Sequence, residues 1–315
     1  RGALDKVGAH ADMLNSGDFK TAANVYTETT MTPAHREMAE SLNRDLYEQI
    51  IDGIAEGRGK TPAEVRRLID EGPFLPADAV ESGLVDALVY ADEVKQQAPF
   101  DEVNWRVITD RDYRQIGLES VGLNRGRGIA LIYAVGAINS GSGGVGLAGG
   151  EVLGSDTLVA AIRAARSNDA VRAIVLRIDS PGGSAVASDA IWREVMLTKK
   201  EKPVIASMSD LGASGGYYIA MAADAIVAQP ATLTGSIGVV AGKVTTGGVY
   251  EKLGINIEPV SQGRFAEIYS PVRPFSDAER AKMQQHIDAI YEQFLVKAAE
   301  GRGTTRDAIH ELAQG

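Results

Sequence analysis

The chain of 315 residues has no cysteine, only four histidines and no long apolar run. Without cysteine it has no thiol nucleophile, no disulfide and no cysteine-bound zinc. The histidines do not have the two-histidine spacing of a metal site. The longest apolar stretches, such as residues 129–138, are about half of the roughly 20 residues that a membrane-spanning helix requires. We therefore expect no metal, no cofactor and no spanning helix in these residues.

Positive charge is also scarce. The chain has 32 Lys and Arg against 42 Asp and Glu, and its formal net charge is −10 at pH 7. It has no dense basic block, so neither nucleic acid nor an anionic membrane surface is expected as the main partner. Hydrophobic residues make up 44% of the chain. This length and composition are typical of two globular domains, or of one large domain.

An internal repeat is the first strong feature. Residues 46–59 recur 244 residues later as residues 290–303, and eight of the 14 positions are identical. The alternative is two unrelated amphipathic helices with similar caps, but the register extends outward in both directions. The matched positions beyond the block include Thr61, Val65 and Leu68, which correspond to Thr305, Ile309 and Leu312. The repeat predicts two copies of one domain.

The position of the repeat predicts the domain boundaries. An interval of 244 residues implies copies of well over 200 residues, yet only about 45 residues precede the first match. We therefore expect an internal fragment, or a processed product, of a longer tandem protein. Residues 1–97 would be the C-terminal part of the first repeat and residues 98–128 a linker. Residues 129–315 would be the second repeat without its C-terminal end.

The second repeat has an α/β pattern, because apolar strands alternate with amphipathic helices. The predicted strands are residues 129–135, 173–178, 203–208 and 225–228, and the predicted helices follow residue 155 and cover residues 185–199 and 217–223. Such alternation predicts a mainly parallel sheet with its functional site at the carboxyl ends of the strands.

Two small-residue loops follow predicted strands. Residues 179–184 read Asp-Ser-Pro-Gly-Gly-Ser, and residues 211–216 read Leu-Gly-Ala-Ser-Gly-Gly. Either could be a plain strand-to-helix turn, and Ser214 alone could be a helix N-cap. Together they could form an oxyanion hole around an exposed Ser214 hydroxyl, with the Gly215 N–H as one donor. Neither loop has the spacing of a phosphate-binding motif.

A serine nucleophile needs a base, and the α/β region holds no histidine near Ser214. His286 and His310 fall on predicted helices of the repeated tail, where we expect solvated faces. A desolvated lysine can replace histidine, because burial lowers its pKa and frees the lone pair of the amine. The sequence therefore favours a serine–lysine pair.

The loops also carry a family resemblance. Residues 179–183, 212–218 and 234–238 resemble the signature loops of the signal peptide peptidase A family, of the long tandem protease IV type. Residues 17–22 and 31–37 resemble the first-repeat segment of that family, which carries the lysine base. The resemblance implies a crotonase-like, Clp protease-like α/β fold in each repeat. It also implies a serine endopeptidase that degrades hydrophobic peptides, such as cleaved signal peptides.

The predicted catalytic residues follow from the motifs and the resemblance together. Ser214 is the nucleophile, Lys20 the general base and Ser236 the hydroxyl that orients the lysine. The N–H groups of Gly183 and Gly215 form the oxyanion hole. The second repeat has Ala266 where the first has Lys20, so the pair must be assembled between repeats. Two alternatives stay open: a crotonase-like acyl-CoA hydratase or hydrolase, and a peptide-binding scaffold without activity.

Partners and location complete the expectations. Apolar positions on the repeated helices, Leu42, Leu46 and Ile50 in one copy and Ile290, Phe294 and Leu295 in the other, predict a homo-oligomer. The resemblance implies a tetramer on the periplasmic side of the bacterial inner membrane. It also implies an N-terminal anchor that this sequence does not contain. Small apolar residues around Ser214 predict a pocket for small or medium apolar side chains.

Overall fold

A computed structural model describes residues 1–90, 93–94, 108, 110–117, 120, 122, 128–146 and 149–314. The chain forms two compact units. One contains residues 1–40 and 127–315, and the other contains residues 41–126. The predicted linker, residues 98–128, lies mostly outside the described residues, and the predicted domain boundaries stay a prediction.

The secondary structure elements alternate along the second half of the chain as expected. The helices are α1 (Gly2–Val7), α2 (Asn24–Thr27), α3 (Pro33–Arg58), α4 (Pro62–Glu71), α5 (Pro76–Glu81), α6 (Asp110–Arg114), α7 (Ser155–Ser167), α8 (Ala185–Thr198), α9 (Gly215–Ala220), α10 (Gly247–Lys252), α11 (Asp277–Arg302) and α12 (Arg306–Leu312). The strands are β1 (His10–Asn15), β2 (Gly128–Val135), β3 (Ala137–Asn139), β4 (Gly144–Val145), β5 (Glu151–Gly154), β6 (Val171–Ser180), β7 (Val204–Ala213), β8 (Ala225–Val227), β9 (Leu233–Gly235) and β10 (Val240–Thr245). A 3₁₀ turn covers Thr21–Ala23.

The main sheet has the strand order β2-β6-β7-β8, and all of its neighbours run parallel. Strand β9 pairs in parallel with the carboxyl end of β7. A second, three-stranded sheet has the order β3-β5-β4. The predicted α/β class, with a mainly parallel sheet and flanking helices, is confirmed. Helices α7, α8 and α9 connect successive strands as crossovers, which parallel pairing requires.

The core of this unit lies between the main sheet and its helices. Alternate residues of β6, namely Ile174, Leu176 and Ile178, are at most 1% exposed. They form one cluster with apolar residues of α7, α8, α9, α11 and α12. Because side chains alternate along a strand, this burial fixes which face of β6 meets the helices. Because the strands run parallel, their carboxyl ends and the loops that follow them lie at one edge of the sheet.

The lysine-bearing N-terminal segment is attached to this unit by β1. Strand β1 pairs antiparallel with β10, from His10 opposite Thr245 to Asn15 opposite Val240. The pairing joins residues about 225 to 235 positions apart in the chain. No local sequence pattern could specify such a partner, and it carries the residues after Asn15 to the α/β core.

The repeat is visible in the helices. Helices α3 and α11 both have 26 residues, and the interval of 244 separates both their first and their last residues. The same interval separates the starts of α4 and α12. In the unit of residues 41–126, Ile51, Ala55 and Val65 form a buried cluster where α3 and α4 meet. None of the described helices is long and apolar enough to cross a membrane.

Candidate active site

Ser214 lies where β7 ends and α9 begins. The pairing of β6 with β7 passes from Ile178–Met208 to Ser180–Gly212, so β7 bulges before its last residues. Bulges of this kind redirect a strand end, and they are common beside active sites. The bulge explains why β7 continues past the predicted end at residue 208. It also places the segment around Ser214 directly beside the end of β6.

The backbone of Ser214 is strained. Its φ of 52° and ψ of −116° are unusual for a residue with a side chain. The conformation is held by hydrogen bonds from the Ser214 N–H to the Gly235 carbonyl, 2.9 Å, and from the Tyr218 N–H to the Ser214 carbonyl, 2.8 Å. Such strain costs on the order of 1–3 kcal/mol and occurs mostly at functional positions. The Ser214 side chain makes no capping bond to α9, so its hydroxyl is available for another purpose.

The loop after β6 lies against the Ser214 turn. Gly182 has φ of +92°, and a Cβ atom there would lie 2.4 Å from the Gly215 nitrogen. Only glycine can therefore occupy this position without displacing the second loop. The buried Ser180 hydroxyl holds the loop, since it donates to the Gly136 carbonyl at 2.7 Å and accepts from the Gly182 N–H at 3.1 Å. Sequence analysis missed Ser180, whose only signal was its place beside the glycines.

The amides of Gly183 and Gly215 are close neighbours. A Cβ atom built on Gly215 would lie 3.2 Å from the Gly183 nitrogen and 2.5 Å from the Ser188 hydroxyl. Within the described part of the chain, neither N–H has a hydrogen-bond partner. Both residues line the same groove as Ser214. Two free amides beside a serine hydroxyl are the arrangement that can stabilise an oxyanion.

Lys20 is brought to these loops by the end of β1. The Ser16 N–H donates to the Val239 carbonyl at 3.0 Å, and the Ser16 hydroxyl accepts from the Val239 N–H at 2.7 Å. The Asn15 side-chain amide donates to the Lys20 carbonyl at 3.0 Å and so holds the loop that follows. Ser16 and Asn15 were not singled out from the sequence, because isolated polar residues in a loop give no signal of their partners.

The Lys20 amine lies among three oxygen atoms. Its Nζ is 3.5 Å from the Ser214 hydroxyl, 2.6 Å from the Ser236 hydroxyl and 2.7 Å from the Ser236 carbonyl. Ser236 also has a positive φ, of 49°, which lets it present both oxygens to the amine. The structure thus brings together Lys20, Ser214 and Ser236, three residues that the sequence singled out.

Burial sets the protonation of this lysine. Loss of solvent around the ammonium lowers the pKa of Lys20 from its ordinary value of 10.5 to about 8. At pH 8 about half of the molecules therefore carry a neutral amine, which can accept a proton. The distance of 3.5 Å to Ser214 is long for a hydrogen bond. Proton-transfer contacts in unliganded enzymes are often long and tighten with substrate.

The groove in front of Ser214 has a volume of about 540 Å³, and its lining combines the polar side chains of Lys20, Ser214 and Ser236 with apolar walls. Tyr218 and Phe294 close one side, with ring centroids 4.8 Å apart. Ile290 and Phe294 lie one helical turn apart on α11 and both face the groove. Sequence analysis predicted them as part of an oligomer surface; their spacing marked an apolar helix face but not its partner.

The described residues contain no group of three or more His, Asp or Glu that could hold a metal ion. His310, which was expected on a solvated face, contacts the Tyr291 hydroxyl at 2.9 Å, and His286 is exposed. Neither histidine is among the described residues that line the groove of Ser214.

The family model described as peptidase family S49 matches residues 1–103 and 196–315. The chain belongs to peptidase family S49. The resemblance that the sequence motifs carried is confirmed. The match includes the segments of Lys20, Ser214 and Ser236.

Curated relatives extend over nearly all of the chain. It is 36% identical to "Serine protease SPPA, chloroplastic" of Arabidopsis thaliana, over 100% of this chain and 47% of the relative. It is 33% identical to "Protease 4" of Salmonella typhi, over 99% of this chain and 51% of that protein. "Protease 4" of Haemophilus influenzae is 37% identical, with 99% and 52% covered. This S49 chain thus spans about half the length of these relatives.

Among solved structures, a mutant form of ClpP1 from Listeria monocytogenes is similar in part. It is 16% identical, with a TM-score of 0.33, and the likeness covers 58% of this chain and 77% of that one. A likeness this low supports no conclusion about activity or assembly.

Proposed function

We propose that the chain is a serine endopeptidase with a Ser214–Lys20 dyad. The observation that carries the proposal is the Lys20 amine, 3.5 Å from the Ser214 hydroxyl with its pKa lowered to about 8. A lysine in this state is a proton acceptor near neutral pH, and it faces a hydroxyl on a strained turn. Membership of family S49 supports the same chemistry.

In the acylation step, neutral Lys20 takes the proton of the Ser214 hydroxyl while Oγ attacks the carbonyl carbon of the peptide bond. The negative charge moves to the carbonyl oxygen, where the N–H groups of Gly183 and Gly215 stabilise it. When the tetrahedral intermediate collapses, the C–N bond breaks and Lys20 returns its proton to the leaving amine. An acyl ester on Ser214 remains.

In the deacylation step, the same lysine takes a proton from water, and the resulting hydroxide equivalent attacks the ester. The C–O bond to Ser214 breaks, the serine oxygen recovers the proton, and the peptide acid leaves. Ser236 holds the amine through two hydrogen bonds during both steps. It is a positioning residue, because it contacts the base and not the scissile bond.

The groove supports apolar peptide substrates. Its walls include Tyr218, Val239, Val240, Ile290 and Phe294. We expect small or medium apolar side chains before the cleaved bond, so Leu or Ala there should be cleaved faster than Asp or Lys. Cleaved signal peptides are the hydrophobic substrates that fit this preference.

We propose that the chain assembles into a homo-oligomer, which the family resemblance indicates is a tetramer, and that nucleic acid is not a partner. The first-repeat residues Leu42 and Ile50 are 36% and 56% exposed, whereas Phe294 and Leu295 are buried in their own unit. We further propose the periplasmic side of a bacterial inner membrane, with an anchor outside residues 1–315; the bacterial "Protease 4" relatives support a bacterial origin.

A fluorophosphonate probe tests the dyad directly. The wild-type chain should gain one phosphonyl group on Ser214, which peptide mass mapping locates. Ser214→Ala should gain none, and Lys20→Ala should react about 100-fold to 10,000-fold more slowly, the usual contribution of one acid–base group. Ser142→Ala and Lys252→Ala, both on exposed residues, are the matched controls. Labelling that is independent of Lys20 would reject the dyad, and tight acyl-CoA binding without labelling would favour the hydratase.

A further inference from the structure

A carboxylate lies behind the aromatic wall of the groove. Asp189, on α8, accepts a hydrogen bond from the Tyr218 hydroxyl of α9 at 2.7 Å and forms an ion pair with Lys297 of α11. The Gln293 side-chain amide, also on α11, donates to the same carboxylate oxygen at 3.3 Å. Asp189 thus joins three helices through one oxygen atom.

The Tyr218 ring connects this carboxylate to the groove. The ring is buried and packs on Phe294, and both residues line the groove in front of Ser214. Asp189 is not among the described residues that line the groove. An effect of Asp189 on a bound peptide therefore passes through the phenol that it holds.

The phenol is a fixed donor in this contact. Burial, together with the neighbouring carboxylate, raises the pKa of Tyr218 well above its ordinary value of 10.0. The hydroxyl therefore stays protonated at any working pH and donates to Asp189. Hydrogen bonds to a charged acceptor are roughly twice as strong as neutral ones. This bond consequently favours one orientation of the ring.

The carboxylate is itself held in place by Lys297. The Lys297 ammonium lies 3.8 Å from the centroid of the Trp192 ring, and its side chain is only 17% exposed. A cation over an aromatic face is attracted to the ring, so the ammonium has two partners, the ring and the carboxylate. Trp192 is buried on α8, one turn after Asp189. This packing restricts the ammonium, and with it the carboxylate that holds the phenol.

Helix α8 also carries an ion pair with a purely structural setting. Glu194 is 3% exposed and pairs with Arg163 and Arg166 of α7. None of these three is among the described residues that line the groove. Asp189 differs from Glu194 because one of its partners belongs to the groove wall. The two acids therefore provide a matched comparison within one helix.

We propose that Asp189 is a positioning residue that determines specificity. By holding the Tyr218 hydroxyl it fixes the ring, and the ring limits the depth of the pocket for the side chain before the cleaved bond. Small and medium apolar side chains fit this depth, whereas a Phe side chain fits poorly. The inference rests on the proposed peptidase function of the same groove and adds the residue that sets the size of its pocket.

Two substitutions of Asp189 separate the possible roles. Asp189→Ala deletes the acceptor and leaves space behind the phenol, so the Tyr218 ring can recede and the pocket becomes deeper. Asp189→Asn keeps the volume and an acceptor oxygen, so the ring should stay in place although the ion pair with Lys297 is lost. A hydrogen bond that positions the ring is thereby distinguished from an ion pair that only stabilises the fold.

Paired peptides measure the pocket. They differ only in Ala or Phe before the cleaved bond and are compared by kcat/KM. Asp189→Ala should raise the Phe-to-Ala ratio about 10-fold or more, the scale of a methylene-sized change in an apolar pocket, and Asp189→Asn should leave it near the wild-type value. Glu194→Ala, the matched control, should lower the free energy of unfolding without changing the ratio. An unchanged ratio in Asp189→Ala, or an equal rise in Glu194→Ala, would overturn the proposal.

Tyr218→Phe connects the effect to the hydroxyl, since it keeps the ring and removes only the donor. It should raise the ratio in the same direction, and it replaces Asp189→Ala in the test if circular dichroism shows that Asp189→Ala does not fold. The two changes share one hydrogen bond, so their combined effect should be smaller than the product of the separate effects. Fully independent effects would mean that Asp189 does not act through Tyr218.

A binding measurement makes the test independent of catalysis. Fluorescence anisotropy gives the affinities of a Ser214→Ala chain for the labelled Ala and Phe peptides. Adding Asp189→Ala should tighten binding of the Phe peptide relative to the Ala peptide by about 10-fold. This shift in a chain whose wild type cleaves nothing would reject the peptidase function but support the role of Asp189. Normal cleavage without the shift would reject the role of Asp189 alone, and binding of neither peptide would reject both.

Discussion

Replacement of Lys20 should stabilise the fold while it removes activity. A lysine whose ammonium is desolvated opposes folding fully below its folded-state pKa, and this penalty fades as the pH rises to the unfolded-state pKa. Lowering the pKa from 10.5 to about 8 corresponds to about 3 kcal/mol at 1.36 kcal/mol per unit. Because the side chain is only partly buried, we expect about 2 kcal/mol after solvent screening.

The pH dependence has a definite sign. Between pH 8 and pH 10.5 the unfolded state binds more protons at Lys20 than the folded state, so the stability of the wild type rises with pH over this window. Lys20→Met lacks this contribution. It should be more stable than the wild type at pH 7, and the difference should shrink by about 2 kcal/mol as the pH approaches 10.5.

Urea denaturation at several pH values measures this difference, with tryptophan fluorescence and circular dichroism as paired probes of the transition. Subtracting the free energy of unfolding of the variant from that of the wild type at each pH cancels the contribution of all other titrating groups. Lys252→Met, an exposed lysine that contacts the Lys6 carbonyl, controls for the loss of a lysine side chain. The difference in the free energy of unfolding between Lys20→Met and the wild type could instead stay constant from pH 7 to pH 10. In that case Lys20 is not desolvated, its pKa is not lowered, and it is not suited to act as a base near neutral pH.

Three further substitutions test the surroundings of the dyad. Ser236→Ala removes an oxygen that accepts from the ammonium, so kcat should fall about 10-fold. The rising, acidic limb of the pH–rate profile should move below pH 8 as the Lys20 pKa drops further; an unchanged profile would exclude an orienting role. Gly182→Ala places a Cβ atom 2.4 Å from the Gly215 nitrogen, so kcat should fall about 100-fold or more with KM little changed; near-normal kcat would mean that these amides do not bind the oxyanion. Phe294→Ala should lower the free energy of unfolding by about 3–5 kcal/mol, as measured by urea denaturation. It should also raise the cleavage rate of peptides with Phe before the scissile bond relative to those with Ala; an unchanged ratio would remove Phe294 from the specificity pocket.

The glycine-rich loops could be predicted from the sequence because their signal is local. Small residues directly after apolar strands, as in residues 179–184 and 211–216, place backbone amides at a sheet edge whatever the rest of the chain does. The strain at Ser214 could not be predicted, because it depends on the β7 bulge and on a hydrogen bond to Gly235. Both are properties of strand pairing.

Lys20 shows the opposite case. Its segment is polar, and only the family resemblance and the loss of lysine at Ala266 singled it out. Its burial results from the pairing of β1 with β10, more than 220 residues away. The groove wall on α11 was missed for a similar reason. The periodicity that placed Ile290 and Phe294 on one face gave no information about the element opposite them.

The separation of the two residues of the proposed dyad also has a consequence for synthesis. Lys20 and Ser214 are 194 residues apart in the chain. At about 5–20 residues per second, a ribosome adds that length in about 10–40 s. During this interval the N-terminal segment is already made, but it has no nucleophile beside it and no β10 to bury its amine. The proposed dyad is therefore complete only after the C-terminal half of the chain has been made and folded.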